Sequence, residues 1–281
     1  MITYPNVKIN IGLNILRKRT DGYHDLETLF YPYEEIHDTL EIVQGDDFSR
    51  TSSRLFAAYG DSSLRQGISE DGKLMITIAR KEGVCWDPLE DLCAKAYRLL
   101  DREYSLPPVK IFLEKMSPVG AGLGGGSSDA AFTVKMLSGM FSLGLDEDTM
   151  AGYAARLGSD CAFFIYNRPL FGEGRGEILS ECRFSDLSGY DIKVLAPEGI
   201  SVSTAEAYRG IVPASPSFPL REALLEPVEN WRETVANDFE KTVFNSHPQL
   251  ASIKKSLYES GATYASMSGS GSALFALYPK E

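Results

Sequence analysis

A glycine-rich run has the composition of an anion-binding loop. It reads Pro118-Val119-Gly120-Ala121-Gly122-Leu123-Gly124-Gly125-Gly126-Ser127-Ser128. The run follows an alternating segment at 109–114, which is typical of a strand, and precedes residues 129–137, where apolar side chains recur at helical spacing. Glycine lets a ligand approach the bare backbone, and the N–H groups at a helix start carry partial positive charge. The sequence therefore predicts a strand, a phosphate-binding loop and a helix in succession.

This run differs from two common nucleotide-binding loops. A P-loop needs Gly-Lys-Ser/Thr after its glycines, and no lysine lies between Lys115 and Lys135. Three of the glycines match the Rossmann fingerprint loosely, but no N-terminal βαβ unit precedes them. A flexible Gly/Ser turn is the remaining alternative. The position at a strand–helix junction, with paired serines, favours anion binding.

Two charged side chains elsewhere have the types that phosphoryl transfer requires. Lys8 lies on the polar face of an alternating segment, beside Asn10, and could supply positive charge. Asp160 follows Gly158-Ser159, precedes an apolar run and could accept a hydroxyl proton. A solvent-exposed strand lysine and a turn aspartate stay open as alternatives when the residues are taken alone.

The patterns around these residues predict an α+β chain. Alternating apolar positions favour strands at 7–16, 25–32, 40–43, 74–78, 109–114, 191–197 and 274–278. Helical spacing favours helices at 91–104, 149–157, 220–244 and 248–261. Residues 44–72 are poorly patterned, and a serine- and glycine-rich segment at 265–273 precedes the last strand.

Bulk composition excludes several classes of protein. The 281 residues, 43% of them hydrophobic, suit one large domain or two ordinary ones. A net charge of −11 argues against nucleic acid as an extended partner but not against a small nucleotide. The four cysteines lack zinc-knuckle spacing, and neither a membrane-length apolar run nor a signal peptide is present. We expect a soluble, cytoplasmic protein with no nucleic-acid or membrane partner.

Three motifs, in this order, resemble those of the GHMP kinases, named for galactokinase, homoserine, mevalonate and phosphomevalonate kinases. They are Pro5-Asn6-Val7-Lys8-Ile9-Asn10, the glycine-rich run from Gly122 to Ser128, and Ser268-Gly269-Ser270-Gly271-Ser272. Together they span nearly the whole chain. The resemblance implies the two-domain GHMP kinase fold, with an N-terminal ribosomal-protein-like α/β domain over 1–155 and a C-terminal ferredoxin-like domain over 156–281.

One branch of that superfamily is more similar than the others. The matching segments are Arg19-Thr20-Asp21-Gly22-Tyr23-His24-Asp25-Leu26, Leu157-Gly158-Ser159-Asp160 and Gly172-Glu173-Gly174-Arg175-Gly176-Glu177-Ile178-Leu179. They resemble segments of the 4-diphosphocytidyl-2-C-methyl-D-erythritol kinases, of the non-mevalonate route to isoprenoid precursors. The resemblance implies an ATP-dependent small-molecule kinase that moves the γ-phosphate onto the 2-hydroxyl of a cytidine-diphosphate substrate.

The same resemblance implies roles for individual residues. Lys8 and Asp160 would be the catalytic pair, and residues 118–128 would surround the phosphates of ATP, with Mg²⁺ as its companion ion. Ser127, Ser128 and Asp129 are the nearest candidates for contact with magnesium or phosphate, and the sequence ranks none of them.

The resemblance also implies a substrate pocket. Tyr23 would stack on the cytosine, and His24 would form hydrogen bonds to it. Thr204 and Tyr208 would close the pocket, and Asn10 would bind the polyol or phosphate end. The chain departs from the usual pattern at Asp91, where relatives usually carry asparagine near the adenine site, so adenine contacts are not assigned. A milder departure is Ser270, where some relatives have threonine.

Three other functions are alternatives to this one. Another GHMP small-molecule kinase, of the homoserine or mevalonate type, needs no aromatic side chain at the Asp-Gly-Tyr-His turn. A non-catalytic nucleotide-binding relative does not require Lys8 and Asp160, which are both present. A dinucleotide-dependent oxidoreductase requires an initial Rossmann unit, which the patterns do not show.

Overall fold

The computed structural model describes residues 1–280, which form twelve strands and ten α-helices. The strands are β1 (Ile2–Thr3), β2 (Asn6–Lys18), β3 (His24–His37), β4 (Thr39–Gln44), β5 (Leu64–Ile68), β6 (Leu74–Arg80), β7 (Val109–Lys115), β8 (Leu170–Gly174), β9 (Ile178–Ser180), β10 (Tyr190–Leu195), β11 (Tyr264–Met267) and β12 (Leu274–Pro279). The helices are α1 (Ser52–Ala58), α2 (Leu92–Tyr104), α3 (Gly125–Met140), α4 (Glu147–Ala155), α5 (Cys161–Tyr166), α6 (Thr204–Tyr208), α7 (Leu220–Ala223), α8 (Trp231–Thr234), α9 (Phe239–Ser246) and α10 (Pro248–Glu259). Among the described residues, no helix is both long and apolar enough to span a membrane.

The chain divides into two compact units, each built from separate segments. The first unit comprises Met1–Val7, Tyr33–Pro118 and Gly124–Asn167. The second comprises Lys8–Pro32, Val119–Leu123 and the chain from Arg168 onward. The glycine-rich run is therefore divided between the units. Residues 119–123 belong to the second unit, and residues 118 and 124–128 belong to the first. The predicted domain boundary after residue 155 stays a prediction.

The first unit is built on a five-stranded sheet in the order β1-β4-β7-β6-β5. All pairs are antiparallel except β6 with β7, which α2 connects as a crossover helix. Ile76 on β6 is paired with Ile111 on β7, and both are fully buried. The α3 helix packs against α2, α4 and α5. This arrangement brings the end of β7 and the start of α3 to opposite ends of the glycine-rich run.

The second unit contains a three-stranded antiparallel sheet in the order β10-β12-β11. The long strands β2 and β3 belong to a four-stranded sheet in the order β2-β3-β8-β9. A cluster of buried apolar side chains joins β2, β3, α6, α9, α10, β11 and β12: Leu13, Ile15, Leu26, Val202, Ala207, Phe239, Val243, Leu250, Met267 and Leu274. Residues 264–267, to which the sequence patterns assigned no element, form β11 because they pair with β12.

Strand β2 is buried on both faces rather than on one. Its alternation predicted a polar outer face, yet Lys8, Asn10 and Asn14 are only 3%, 2% and 7% exposed. The solvent-exposed lysine that the sequence left open as an alternative is therefore excluded. Polar side chains buried in this way need hydrogen-bond partners, which directs attention to what surrounds them.

The predicted helix over 220–244 is broken into three short pieces and α9. Pro227 lacks a backbone N–H and begins a 3-10 turn at Val228–Asn230, which interrupts the helix. After α8 the chain becomes extended, because it pairs with β2: Leu13 N donates to Ala236 O at 2.8 Å, and Asp238 N donates to Leu13 O at 2.8 Å. The helical spacing of residues 220–244 gave no indication of this long-range pairing. Residues 44–72, which showed little pattern, hold α1 and β5.

Candidate active site

The early strand, the glycine-rich run and the late Ser-Gly-Ser-Gly-Ser loop come together in the second unit. Lys8 Nζ donates hydrogen bonds to Asn10 Oδ1 and, at 2.9 Å, to the carbonyl oxygen of Gly122. The same carbonyl accepts from Ser268 Oγ at 3.2 Å. The backbone N–H of Lys8 donates to Leu123 O at 2.9 Å. Three motifs that are far apart in the sequence therefore share one hydrogen-bond network.

Asn10 is held from two sides within this network. Its Nδ2 donates to Thr28 Oγ1 at 3.0 Å, and its backbone N–H donates to Ser268 Oγ at 3.2 Å. The Lys8 ammonium lies 5.4 Å from the centroid of the Phe30 ring, a favourable cation–π distance. Lys8 and Asn10 are therefore positioned by their neighbours.

Gly122 lies too close to the late loop for any side chain. It has a φ of +78°, and a Cβ atom there would lie 2.2 Å from the carbonyl oxygen of Ser268. The adjacent Ala121 carbonyl accepts from the N–H of Ala273 at 3.1 Å. Gly120, by contrast, has a φ of +73°, but a Cβ atom there would have no other atom within 4 Å. The close approach of two backbones thus requires glycine at 122 for a reason that does not apply at 120.

In the first unit, a buried charge cluster supports the other end of the glycine-rich run. Lys115 Nζ donates to Asp38 Oδ2, to Asp129 Oδ2 at 2.6 Å and to Ser117 Oγ at 3.1 Å. The other Asp38 oxygen accepts from the N–H groups of Met116 at 2.6 Å and Ser117 at 2.7 Å. These contacts tie the end of β7 to the start of β4 and to Asp129, the fifth residue of α3. The sequence did not identify Asp38 or Lys115 as functional.

The pKa values of the two carboxyl groups in this cluster are shifted in opposite directions. Burial disfavours the ionised form of Asp38, but Lys115 and the hydrogen bonds from Ser117 outweigh it and lower the pKa of Asp38. Burial raises the pKa of Asp129 well above 3.8, and the neighbouring negative charge of Asp38 adds to that effect against the opposing charge of Lys115. Of the two carboxyl groups, Asp129 is therefore the one that binds a proton more readily.

The charge cluster lies directly against the first residue of α3. A Cβ atom at Gly125 would lie 2.3 Å from Ser117 Oγ and 3.3 Å from Lys115 Nζ. Two oxygen atoms next to it, Ser128 Oγ and Asp129 Oδ1, are buried and have no hydrogen-bond partner within residues 1–280. The N-terminal turn of α3 therefore combines backbone N–H groups with oxygen atoms still able to bind a ligand.

Asp160 immediately precedes α5 in the first unit and accepts a long hydrogen bond from Ser159 Oγ at 3.4 Å. The start of α5 lies near the serine pair of the glycine-rich run, because a Cβ atom at Gly158 would be 3.1 Å from Cys161 Sγ and 4.0 Å from Ser127 Oγ. Burial raises the pKa of the Cys161 thiol to about 12, although Ser127 lowers it. Cys161 is therefore a neutral thiol and not a competing nucleophile.

Asp91 has a structural role as the N-cap of α2. Its carboxylate accepts from the N–H of Cys93 at 2.9 Å and from Trp86 Nε1 at 3.0 Å. Asparagine and aspartate are equally good N-caps, so the departure at this position preserves the helix start. The next residue, Leu92, lies 4.0 Å from where a Cβ atom of Gly126 would be. The start of α2 is thus a neighbour of the loop.

The residues expected to bind cytidine gather in the second unit. The rings of His24 and Tyr208 are stacked, with centroids 4.7 Å apart and an angle of 19° between their planes, and Tyr208 contacts Phe239 edge-on. Burial lowers the pKa of His24 below 6.5, so the imidazole is neutral near pH 7 and can both donate and accept hydrogen bonds. Tyr23 is 56% exposed. Thr204 is exposed at the start of α6, the helix that carries Tyr208.

Comparison with known proteins identifies the family of this chain. Family models described as GHMP kinases N terminal domain and GHMP kinases C terminal match residues 91–168 and 220–281. The 4-diphosphocytidyl-2-C-methyl-D-erythritol kinase of Bacteroides thetaiotaomicron is 48% identical over 282 residues, covering 100% of this chain and 93% of its own. The enzyme of the same name from Bacteroides fragilis is 46% identical, with 100% and 93% covered.

The chain belongs to the GHMP kinase family. A crystal structure of 4-(cytidine 5'-diphospho)-2C-methyl-D-erythritol kinase superimposes with a TM-score of 0.72 at 29% identity, covering 99% of this chain and 90% of that one. The predicted two-domain GHMP kinase fold is thereby confirmed. So is the prediction of an ATP-dependent phosphotransferase that acts on a small molecule.

Alanine at the two glycines of this GHMP kinase should have unequal effects. Both positions have positive φ, so each alanine incurs backbone strain, but only Gly122→Ala adds a clash with the Ser268 carbonyl. We expect Gly122→Ala to lower the free energy of unfolding by about 2 kcal/mol more than Gly120→Ala, measured by urea denaturation. Equal losses would show that the close approach of the two loops is not a constraint.

Neutralising the two buried carboxylates should also give unequal results. Asp38→Asn leaves Lys115 without its ionised partner and should lower the free energy of unfolding by about 3 kcal/mol near pH 7. Asp129→Asn replaces the carboxyl group with the raised pKa by a neutral amide of the same shape, so its loss should be smaller, below about 1 kcal/mol. Urea denaturation of both variants measures the contrast, and a larger loss for Asp129→Asn would contradict the order of the two pKa values.

The pH dependence of stability gives a second test of that order. A raised pKa for Asp129 in the folded state means that folding retains a proton, so this group destabilises the fold as pH rises above 3.8. Asp129→Asn removes the effect. The variant should therefore gain stability relative to the parent between about pH 4 and pH 7. If the difference in free energy of unfolding between variant and parent stays constant across this pH range, the raised pKa of Asp129 is contradicted.

Proposed function

We propose that this GHMP kinase transfers the γ-phosphoryl group of ATP to the 2-hydroxyl of 4-diphosphocytidyl-2-C-methyl-D-erythritol, in the non-mevalonate route to isoprenoid precursors. The observation that carries the proposal is identity of 48% and 46% to enzymes of that name along the whole chain. The stacked His24 and Tyr208, with Tyr23 next to His24 in sequence, support a pyrimidine-containing acceptor.

Asp160 is the proposed general base. Its carboxylate would accept the proton of the acceptor hydroxyl as the oxygen attacks phosphorus. Its place before α5, close to the serine pair of the loop in the same unit, supports a position near the transferring group.

Lys8 is the proposed electrostatic partner of the reaction. Its ammonium would offset the negative charge that develops on the transferring phosphoryl group. Burial to 3% exposure and the hydrogen bond to the Gly122 carbonyl support this role, because the charge is held in one place with little screening by water.

Residues 118–128 are the proposed ATP site. Backbone N–H groups of the loop and the N-terminal turn of α3 would bind the phosphate oxygens. Positive φ at Gly120, Gly122 and Gly124 supports this role, because alternating backbone conformations can turn successive N–H groups toward one anion.

Mg²⁺ is the divalent cation that we propose binds together with ATP. The ion prefers oxygen ligands and usually keeps several waters, so it needs few groups from the protein. Ser128 Oγ fits that preference, since it is a buried oxygen atom without a partner within residues 1–280. A magnesium ion held there would supply positive charge that offsets part of the negative charge of the phosphate groups.

The acceptor would be bound by five residues of the second unit. Tyr23 is proposed to stack on the cytosine and His24 to form hydrogen bonds to it. Thr204 and Tyr208 would close the pocket, and Asn10 would bind the polyol or phosphate end. We also propose a cytoplasmic location, no nucleic-acid or membrane partner, and a family domain boundary near residue 155.

Substitution of the proposed base should abolish chemistry while leaving binding intact. With ATP, magnesium and 4-diphosphocytidyl-2-C-methyl-D-erythritol, Asp160→Asn should lower kcat by about 10³-fold and change the KM values by less than about threefold. Lys8→Met should also lower kcat, because the transition state loses a charge. A coupled assay of ADP release measures both.

Asp61→Asn is the matched control, since it neutralises an exposed aspartate in a turn of the first unit. It should retain the activity of the parent. Turnover of homoserine or mevalonate by the parent, without turnover of the cytidine acceptor, would contradict the proposed function. Unchanged kcat in Asp160→Asn would contradict the role of that carboxylate alone.

A further inference from the structure

The turn between β8 and β9 lies beside the segment that carries Tyr23 and His24. Strand β8 pairs with β3 in the register Leu26↔Gly174. The residues that follow Gly174 are therefore brought alongside the residues that precede Leu26. One of them is Arg175, to which the sequence comparison gave no role.

The conformation of this turn fixes the direction of Arg175. Gly174 and Gly176 have φ values of +69° and +104°, so the arginine is flanked by two residues in conformations that favour glycine. Glu177 folds back over the turn and accepts hydrogen bonds from the backbone N–H of Arg175 and, at 3.3 Å, from its Nε. A Cβ atom at Gly174 would lie 3.0 Å from the Glu177 carboxylate, so glycine makes room for it.

The guanidinium group of Arg175 covers the ring of Tyr23. Its Cζ atom lies 4.9 Å from the ring centroid, within the range of a cation–π contact. The Tyr23 backbone is fixed as well, since its carbonyl accepts from Arg19 N at 2.8 Å and its N–H donates to Asp21 Oδ1 at 3.1 Å. An exposed tyrosine ring would otherwise rotate among its rotamers.

We propose that Arg175 is a positioning residue for the acceptor, because it covers one face of the Tyr23 ring and presents the other face to the pyrimidine base. This inference rests on the proposed function, since it takes the acceptor to carry cytosine. A ring already held in its binding orientation loses less freedom when the base stacks on it. Arg175 therefore strengthens acceptor binding through Tyr23 and takes no part in phosphoryl transfer.

Kinetics of Arg175→Leu test the proposal. We expect KM for the acceptor to rise about two- to fivefold, the range expected when an exposed cation–π contact is lost. The kcat value and KM for ATP should stay within about twofold of the parent, because only binding of the acceptor depends on the ring. A rise in KM for both substrates, or a fall in kcat alone, would overturn the proposal.

Arg232→Leu is the matched control. Arg232 covers the ring of Tyr258 at 4.4 Å, so the substitution removes the same type of contact at a tyrosine with no proposed role. It should leave all kinetic constants unchanged. An equal rise in KM for the acceptor in both variants would show that the effect is not specific to Tyr23.

A double-mutant cycle distinguishes action through Tyr23 from direct contact with the diphosphate. Arg175→Leu should have no further effect on KM in a Tyr23→Leu background, because the ring through which it acts is gone. If Arg175→Leu still raises KM in that background by the same factor, the arginine contacts the acceptor directly and the proposal is wrong.

Binding of cytidine 5'-diphosphate, followed by calorimetry, separates this inference from the proposed function. Arg175→Leu should weaken binding about two- to fivefold, whereas Arg232→Leu should not. If the parent binds this probe but does not phosphorylate the expected acceptor, the proposed function is wrong. The affinities of Arg175→Leu and Arg232→Leu for the probe then still test the inference about Arg175. If the parent does not bind the probe, or if Arg175→Leu binds it as tightly as the parent, the inference is overturned.

Discussion

The carbonyl oxygen of Gly122 is the atom on which the arrangement of the second unit depends most. It accepts hydrogen bonds from the ammonium group of Lys8 and from the hydroxyl group of Ser268. The first donor lies on an early strand and the second on a late loop, so one carbonyl joins segments separated by about the whole chain. This geometry requires residue 122 to have no side chain, and the glycine there has a cause beyond flexibility. A lysine held in this way is already oriented before any phosphate binds, which is the condition under which a fixed charge stabilises a transition state effectively.

The first unit supports its part of the glycine-rich run differently, by a buried ammonium between two carboxyl groups. A cluster of this kind is costly to bury unless its charges balance and its hydrogen bonds are satisfied. Lys115 and Asp38 balance each other, and backbone N–H groups satisfy the remaining oxygen of Asp38. The raised pKa of Asp129 limits the excess negative charge that a third ionised group would bring. No acidic residue lies in the first turn of α3, so the partial positive charge at the helix start stays available to an anion.

The sequence predicted the parts of the site that consist of local patterns and missed those that depend on long-range contacts. The glycine-rich run, Lys8 and Asn10 could be found because their motifs are contiguous. Asp38 and Lys115 are 77 residues apart, and neither stands in a motif that indicates the other. The helix predicted over 220–244 failed for a similar reason, since pairing of residues 236–238 with β2 overrides helical spacing. Burial of both faces of β2 could not be predicted either, because its alternation of polar and apolar residues is typical of a strand with one solvent-exposed face.

The two aromatic residues at the start of β3 show how neighbouring residues can have separate environments. Successive side chains of an extended chain point to opposite sides. His24 therefore stacks on Tyr208 of α6, while Tyr23 is covered by Arg175 from the β8–β9 turn. The residue types in the Asp-Gly-Tyr-His turn indicate a ring-binding site, but their orientation depends on two partners that come from distant parts of the chain. The affinity of such a site is determined as much by the groups behind the rings as by the rings themselves, because those groups decide how much motion binding must remove.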